Sequence, residues 1–422
     1  MQGIVVKGAL MALLWPAVAS ADLDFEQALA AVAVQAHPVQ EARSALSAAE
    51  QDAVAAGRLP DPQLGLGINN MPLASSAGVQ AYSLGQDPMS SRDISVSQNL
   101  RNSASLEAEK AQAQARIGVE RARLARALLE ARIACADAWL DLWYGQQRLA
   151  VFDQQMAENL RLQAVARADL AAAQISPAEA LAPALEEQEL ANARDAEQAR
   201  LAAARARLER WIGPLATQRL AGSAPAYSDR LPDLEAAIDQ HPEVQIQSHQ
   251  QEVARGELAA AESARHPQWG VNLDYAHRGP AYGDMISLGV SASLPLFSAQ
   301  RQGPRIQASH EKLLAAGDAL EDARQQQRAQ LHAAWAEEQS LQRQIQRLQE
   351  RSLPLLQASI AALLHDYAHA TAPAPALTQL LEQRQTLRRL RLQIADLADQ
   401  RDRLNSELHL SYGRLHTPLS GE

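Results

Sequence analysis

The chain has little of what a reactive or disulfide-braced protein needs. Of its 422 residues a single one, Cys135, is cysteine, so no disulfide can form within the chain. Aromatic residues make up 4%, which is thin for several compact globular cores. Positive charge is not in surplus: the formal charge is −10, and nucleic acid as a partner is disfavoured because phosphate neutralisation draws on excess lysine and arginine. There is no glycine-rich phosphate loop, and no catalytic constellation rises above chance. His310-Glu311 begins like a zinc-protease motif, but Leu314 stands where the second histidine belongs. Paired carboxylates such as Glu186-Glu187 and Glu337-Glu338 are neighbours along helices and face different directions. No enzyme activity and no cofactor are implied.

The N-terminus points to export. Lys7 is the only charge before Asp22, Gly8 to Val18 is apolar, and Ala19-Ser20-Ala21 has the small-x-small form of a cleavage site. Residues 1–21 read as a secretory signal that is too short to span a bilayer. Removing Lys7 with it changes the charge from −10 to −11. Asp22, not cysteine, stands immediately after the cleavage site, so no lipid anchor is expected.

What the chain does hold is alanine, leucine, glutamine, arginine and glutamate, the mixture of long helices packed through small side chains. Leu128, Cys135, Leu142, Leu149 and Met156 recur at sevens, flanked by Leu124, Trp139 and Phe152, in a proline-free stretch from about Ser103 to Gln174. That heptad seam predicts a left-handed supercoil and a helix on the order of 100 Å long. Cys135 lies on it and reads as a buried thiol. Leu341, Leu348 and Leu355 repeat the spacing, as do Leu380, Leu387 and Ile394. Two antiparallel helical hairpins follow, turning near Ile175-Ser176-Pro177 and near Thr371-Ala-Pro-Ala-Pro375. Pro183 and Pro354 fall inside helices, where a kink is expected.

The plan is stated twice. His37-Pro38 opens a helix that runs to Asp61-Pro62-Gln63 and an alternating strand; His241-Pro242 opens another that runs to His266-Pro267-Gln268 and a second one. The predicted organisation is a signal at 1–21, a first repeat at 22–220 with strands near 62–70 and 92–100 and a hairpin near 103–212, and a linker at 221–231. A second repeat at 232–415 has strands near 267–276 and 286–296 and a hairpin near 304–412, and 416–422 is a tail. Each strand places its apolar residues at every second position: Leu64, Leu66 and Ile68; Ile94 and Val96; Trp269, Val271, Leu273 and Tyr275; Ile286, Leu288, Val290 and Leu294. One face is apolar and one polar, over the length that a tilted strand needs to cross a bilayer, so these residues are expected to face lipid. The alternative is a small soluble sheet packed on the helices.

Strand number decides what a membrane reading requires. Unpaired edges in hydrocarbon cost several kcal/mol per group, and closed barrels start at about eight strands. Four strands per chain therefore demand several copies sharing one barrel, most economically by cyclic symmetry.

Two strand pairs, each feeding a long helical hairpin behind a signal peptide, resemble the TolC family of outer membrane efflux ducts over essentially the whole mature chain. The segments Leu59-Pro-Asp-Pro-Gln-Leu-Gly-Leu-Gly-Ile-Asn-Asn-Met-Pro72, Tyr82-Ser-Leu-Gly-Gln-Asp-Pro-Met89 and Val96-Ser-Gln98 are similar to the branch associated with heavy-metal efflux. The resemblance implies a mainly helical duct with a shared twelve-stranded barrel, a homotrimer in outer membrane lipid, a periplasmic adaptor and an inner-membrane resistance-nodulation-division pump. Leu100-Arg-Asn-Ser-Ala-Ser105 departs from the Pro-Gly-Lys-Arg-like turn of that branch, and neither hairpin turn carries the glycine common among relatives.

The expected function is a passive exit duct, with heavy-metal cations as the expected cargo. Rivals are a non-conducting periplasmic scaffold or adaptor, and the same duct serving drugs or type I protein secretion. Gate candidates at the hairpin turns are Arg167, Asp169, Gln174, Ile175 and Ser176, with Asp366, His369 and Thr371. His365 and His369 lie one helical turn apart and are weak metal-ligand candidates, since a duct that binds its cargo tightly conducts poorly. Met71, Met89 and Met285 flank the strands, where loop packing is the plainer account.

Overall fold

The computed structural model describes residues 22–76, 78–368 and 376–413. The expected leader at 1–21, His369, Thr371 and the proline turn around it, and the tail at 416–422 lie outside these residues.

Helix α1 (Phe25–Gln35) is followed by α2 (His37–Ala55), β1 (Gln63–Asn69), β2 (Ser91–Leu100), α3 (Ser103–Ala171) and α4 (Pro177–Ile212). After α5 (Leu231–Ala236) come α6 (Pro242–Ser263), β3 (Gln268–His277), β4 (Met285–Ser293), α7 (Gln302–Arg347), α8 (Leu353–Ala368) and α9 (Ala376–Tyr412). The order helix, strand, strand, long helix, long helix thus occurs twice. Helix α1 was not foreseen, although its start carries a legible signal: Asp24 accepts from Gln27 N and the Gln27 side chain accepts from Asp24 N, a capping box. Strand β4 stops at Ser293, short of the expected Leu294, because Pro295 next to it has no N–H for a ladder.

The described chain divides into two compact units, and each draws on both halves of the sequence. The sheet unit takes residues His37–Glu130, Asp229–Ala336 and those from Leu408 on; the helical unit takes those up to Ala36, Ala131–Ser228 and Glu337–Glu407.

In the sheet unit the strands lie in the order β1-β2-β3-β4, every neighbour antiparallel. Pairing of β2 with β3 joins the two repeats. Helices α3 and α6 of this unit approach closely: an added Cβ on Gly118 of α3 would fall 2.5 Å from His249 of α6, so glycine is what permits that approach. A second cluster gathers Leu234, Ile238, Val244, Leu320, Leu331, Leu408 and Tyr412. Tyr412 donates to Gln327 Oε1 at 2.8 Å and stacks on His241, whose pKa burial holds below the ordinary imidazole value.

In the helical unit α1 docks on α3 through aromatic rings. Phe25 meets Trp139 edge-on at 5.3 Å, and Trp139 stacks on Trp143 at 5.5 Å. Cys135 is fully buried beside the Ala28 carbonyl, and burial pushes its thiol up to about 12, so it is an inert core group as the heptad position implied.

Candidate functional site

The sheet is amphipathic in both directions that its register allows. Directly paired residues share a face, and the register lines up Leu66, Ile94, Tyr275 and Ile286, then Leu64, Val96, Leu273 and Leu288, then Val271 and Val290 beside Gln98. The row is closed at one end by Leu100, Trp269 and Ala292 and at the other by Ile68, Arg92 and His277. Leu66 and Leu288 are each 76% exposed, so nothing among the described residues covers this face. Its opposite carries Gly65, Ser95, Asp274 and Ser287, then Gln63, Ser97, Asn272 and Gly289. From His277 to Trp269 the apolar band runs about 27 Å along the strand, or roughly 20 Å once tilted as barrel strands are. Strands β1 and β4 each have one paired edge, leaving two open edges among the described residues.

The polar end of the band is tied down locally. Tyr275 and His277 both reach Asp284, the latter at 2.8 Å, and the Arg278 guanidinium donates to the Gly283 carbonyl at 2.8 Å. Met71, Met89 and Met285 are exposed around the strand ends.

In the helical unit the heptad reading needs one correction. Leu341 is buried, but Leu355 is 72% exposed, and Leu353, Leu356 and Leu363 pack on the cluster of Leu162, Ala166, Ile360, Leu377, Leu380, Leu381 and Leu387 instead. Between α7 and α8 residues Leu348–Ser352 form a π turn. Pro354 has no N–H for the Glu350 carbonyl and its ring collides with that carbonyl in a regular helix. The wider turn relieves the clash at the cost of one extra residue, so the seam steps from Leu348 to Leu356 rather than to Leu355. The kink expected at Pro354 is thus a register shift.

The α3–α4 turn shows how a chain without glycine there makes the reversal. Ala173 adopts φ 53°, Gln174 N donates to Asp169 O at 2.9 Å and Ala173 N to Leu170 O at 3.0 Å, the Schellman pattern that usually recruits glycine. Ser176 then opens α4 by accepting from Glu179 N at 3.2 Å while the Glu179 carboxylate accepts from Ser176 N at 2.8 Å. Those bonds hold the Glu179 carboxyl below its ordinary pKa. Of the gate candidates, Ser176 is therefore a cap, Asp169 and Gln174 close the helix through their backbones, and Ile175 packs on the leucine cluster. Arg167 is exposed and donates to Gln163 Oε1 at 3.3 Å. Asp366 is exposed and 3.7 Å from His365. His369 and Thr371 are outside the described residues, so the His365 and His369 pair has one describable member. Among the described residues no three His, Cys, Asp or Glu side chains gather to hold a metal ion.

A belt of ion pairs, not foreseen, ties α3, α4 and α9 within this unit. Arg148 meets Glu197 at 2.7 Å, Asp396 at 3.2 Å and Asp399 at 3.7 Å. Arg403 meets Asp399 at 2.8 Å, Asp137 at 3.4 Å and Asp141, which also holds Arg207 at 2.9 Å. Tyr144 and Arg401 share Asp402, and Arg388 with Gln385 holds Glu186. Burial lifts the Asp399 carboxyl above the usual range despite Arg403, while for Arg403 burial pulls down and its aspartates more than reverse it. Asn159, where the apolar heptad would not place a polar side chain, donates to the Pro183 carbonyl at 2.7 Å across the hairpin. Arg403 with Asp399 and Arg401 with Asp402 are local pairs, but no local signal marks the partners on different helices, such as Arg148 with Glu197 or Arg403 with Asp141, because they lie far apart in sequence.

No family model matches the chain, and no curated protein matches it in sequence. Among solved structures it is similar to a membrane protein from Pseudomonas aeruginosa, at 14% identity and TM-score 0.79 over 92% of this chain and 90% of that one. It is also similar to CusC, described for its folding and transmembrane channel formation, at 14% identity and TM-score 0.75 over 93% and 92%. A third is the outer membrane protein VceC from Vibrio cholerae, at 13% identity and TM-score 0.76 over 92% and 96%. These likenesses establish the fold: mainly helical, with long helices and a short antiparallel sheet, the TolC-like channel fold.

Proposed function

We propose that the chain is one subunit of a trimeric outer membrane exit duct that passively conducts substrate in a tripartite efflux system. One observation carries the reading: a four-stranded sheet with an uncovered apolar face, a polar opposite face and two open edges. Such a sheet is costly in water and incomplete in lipid, where each unpaired backbone group costs several kcal/mol. Three copies, joined β4 to β1, close twelve strands with the apolar face toward lipid and the polar face toward a lumen. The shared fold with outer membrane channels supports the same arrangement. No described helix is long and apolar enough to cross a membrane.

The helical hairpins line the periplasmic tunnel in this reading, and the α3–α4 turn belongs to its mouth, where Arg167, Asp169 and Asp366 are repartnered when an adaptor docks. The energy comes from an inner-membrane resistance-nodulation-division pump. Heavy-metal cations are the proposed cargo, on the strength of the Leu59 to Pro72 segment. Cargo ligation is not part of the mechanism: a polar tunnel conducts by not holding what it passes.

Fractionation tests the location and assembly. The duct is recovered with outer membranes as a detergent-stable trimer, whereas recovery as a periplasmic monomer overturns the reading. Deletion of the gene sensitises cells to copper, silver, zinc, cobalt or cadmium; indifference to all of them removes the cargo assignment and leaves the duct. Unchanged conductance and adaptor binding in Asp169→Ala and Asp366→Ala together would remove the gate assignment.

A further inference from the structure

We propose that Asp93 and Asp274, with the hydroxyls of Ser91 and Ser95, form a binding site for a hard divalent cation of the calcium or magnesium kind on the polar face of the sheet. The central observation is an orphaned carboxylate oxygen. Asp93 is 6% exposed, its Oδ1 accepts from Ser91 Oγ at 2.7 Å, and its Oδ2 is buried with no hydrogen-bond partner. No lysine or arginine among the described residues pairs with it, and Arg92 beside it belongs to the opposite face. A buried carboxylate with a bare oxygen is costly unless a cation or a proton compensates it.

The register places a second carboxylate beside the first. Asp93 pairs with Ala276 and Ser95 with Asp274, so Asp274 is the diagonal neighbour of Asp93 on the same face, roughly 7 Å away. On the other flank the partners are Gly67 and Gly65. A Cβ added at Gly67 would meet nothing within 4 Å, and one at Gly65 would fall 2.6 Å from Ser95 Oγ, so glycine leaves space beside the carboxylate and accommodates the serine hydroxyl over β1. Ala276 keeps the third side low.

The donors are all oxygen, which selects a hard cation over a soft one. Two carboxylates and two hydroxyls fall short of a full shell, and water supplies the remaining positions, as these ions commonly accept. The ion would join β2 to β3, the contact that unites the two repeats. It would also anchor the connection between β1 and β2, where Ser90, fully buried, donates to the Asn70 carbonyl at 2.7 Å and Gly85 lies so close to Gly279 that a Cβ there would be 2.9 Å away. Ser83 Oγ in that connection is another buried oxygen without a partner.

The test is calorimetric titration of the full-length protein in detergent, stripped of ions with a chelator, with calcium chloride, magnesium chloride and zinc chloride in turn. Saturable binding of one calcium or magnesium ion per chain is expected. Asp93→Asn weakens it roughly tenfold or more, and Asp274→Asn by less. No binding by the wild type, an unchanged affinity in Asp93→Asn, or zinc bound more tightly at the same stoichiometry overturns the proposal. If Asp93→Asn fails to fold, thermal unfolding of the wild type with and without millimolar calcium decides: a higher midpoint with calcium supports the site, and an unmoved midpoint overturns it. The readout is binding rather than conductance, so the outcome leaves the duct reading standing or falling on its own.

Discussion

Leu288 and Ser287 are adjacent in β4 and belong to opposite faces, which makes them a controlled pair for the membrane reading. Leu288 shares its row with Leu64, Val96 and Leu273, four residues along β3 from the Trp269 row and four from His277. In the membrane reading it therefore sits near mid-depth, about 10 Å from either boundary once the strands are tilted. Arginine on the lipid face at that depth costs about 2–4 kcal/mol per chain, falling to about 0–1 near the interfaces. Ser287→Arg places the same charge toward a wide aqueous lumen and costs under about 1 kcal/mol. The assay is refolding of each variant into lipid vesicles across a urea series, read as the fraction of heat-modifiable folded protein. At 76% exposure in the isolated chain, Leu288 loses nothing by becoming arginine if the sheet stays in water. Equal effects of the two substitutions, or a harmless Leu288→Arg, would refute the assignment of faces.

Other perturbations probe the helical unit. Arg403→Ala strips Asp399, Asp141 and Asp137 of a shared cation; because that guanidinium is about a quarter exposed, with 26% relative accessibility, the cost is set at about 2 kcal/mol, below that of breaking a fully buried pair. Its pH dependence follows from Asp399, whose carboxyl already titrates above the usual range. A raised carboxyl favours the fold only when protonated, so acidifying from neutrality toward the raised value restores stability to Arg403→Ala and raising the pH through it removes that gain; a variant that instead weakens further on acidification, relative to wild type, contradicts this. Ala173→Gly relieves the left-handed alanine in the α3–α4 turn and raises stability by about 1 kcal/mol, seen as a higher denaturant midpoint. Leu356→Ala costs about 2 kcal/mol and Leu355→Ala under about 0.5 kcal/mol in the same titration; the reverse order would mean that the heptad runs straight through Pro354.

Much of this fold is readable from period alone. Seven-residue spacing announces the long helices and two-residue spacing the strands, because each periodicity buries or exposes one face whatever lies far away in sequence. Strand β4 ends before Leu294, since Pro295 has no N–H for the ladder. Where long-range partners decide, the sequence is silent. Arg148 and Glu197, or Arg403 and Asp141, look like solvated charges until helices bring them together. Gln155 and Asn159 occupy buried positions on α3 while Leu149 and Met156 are only half buried, since the hairpin partner, not the heptad, sets which side is covered. The π turn is an intermediate case: Pro354 is visible, but whether it bends, ends or re-registers a helix depends on the packing beyond it. Among the gate candidates, Ser176 with Glu179 three residues on has the form of a capping box, a local signal for the start of α4.

In the proposed duct, copies of this chain enclose a continuous water-filled path, and single-channel recording on the purified trimer in a planar lipid bilayer reads that path itself. Discrete, reproducible conductance steps on insertion are expected. A trimer that inserts and leaves the bilayer electrically silent, or a protein that never leaves the aqueous phase as a monomer, would contradict it.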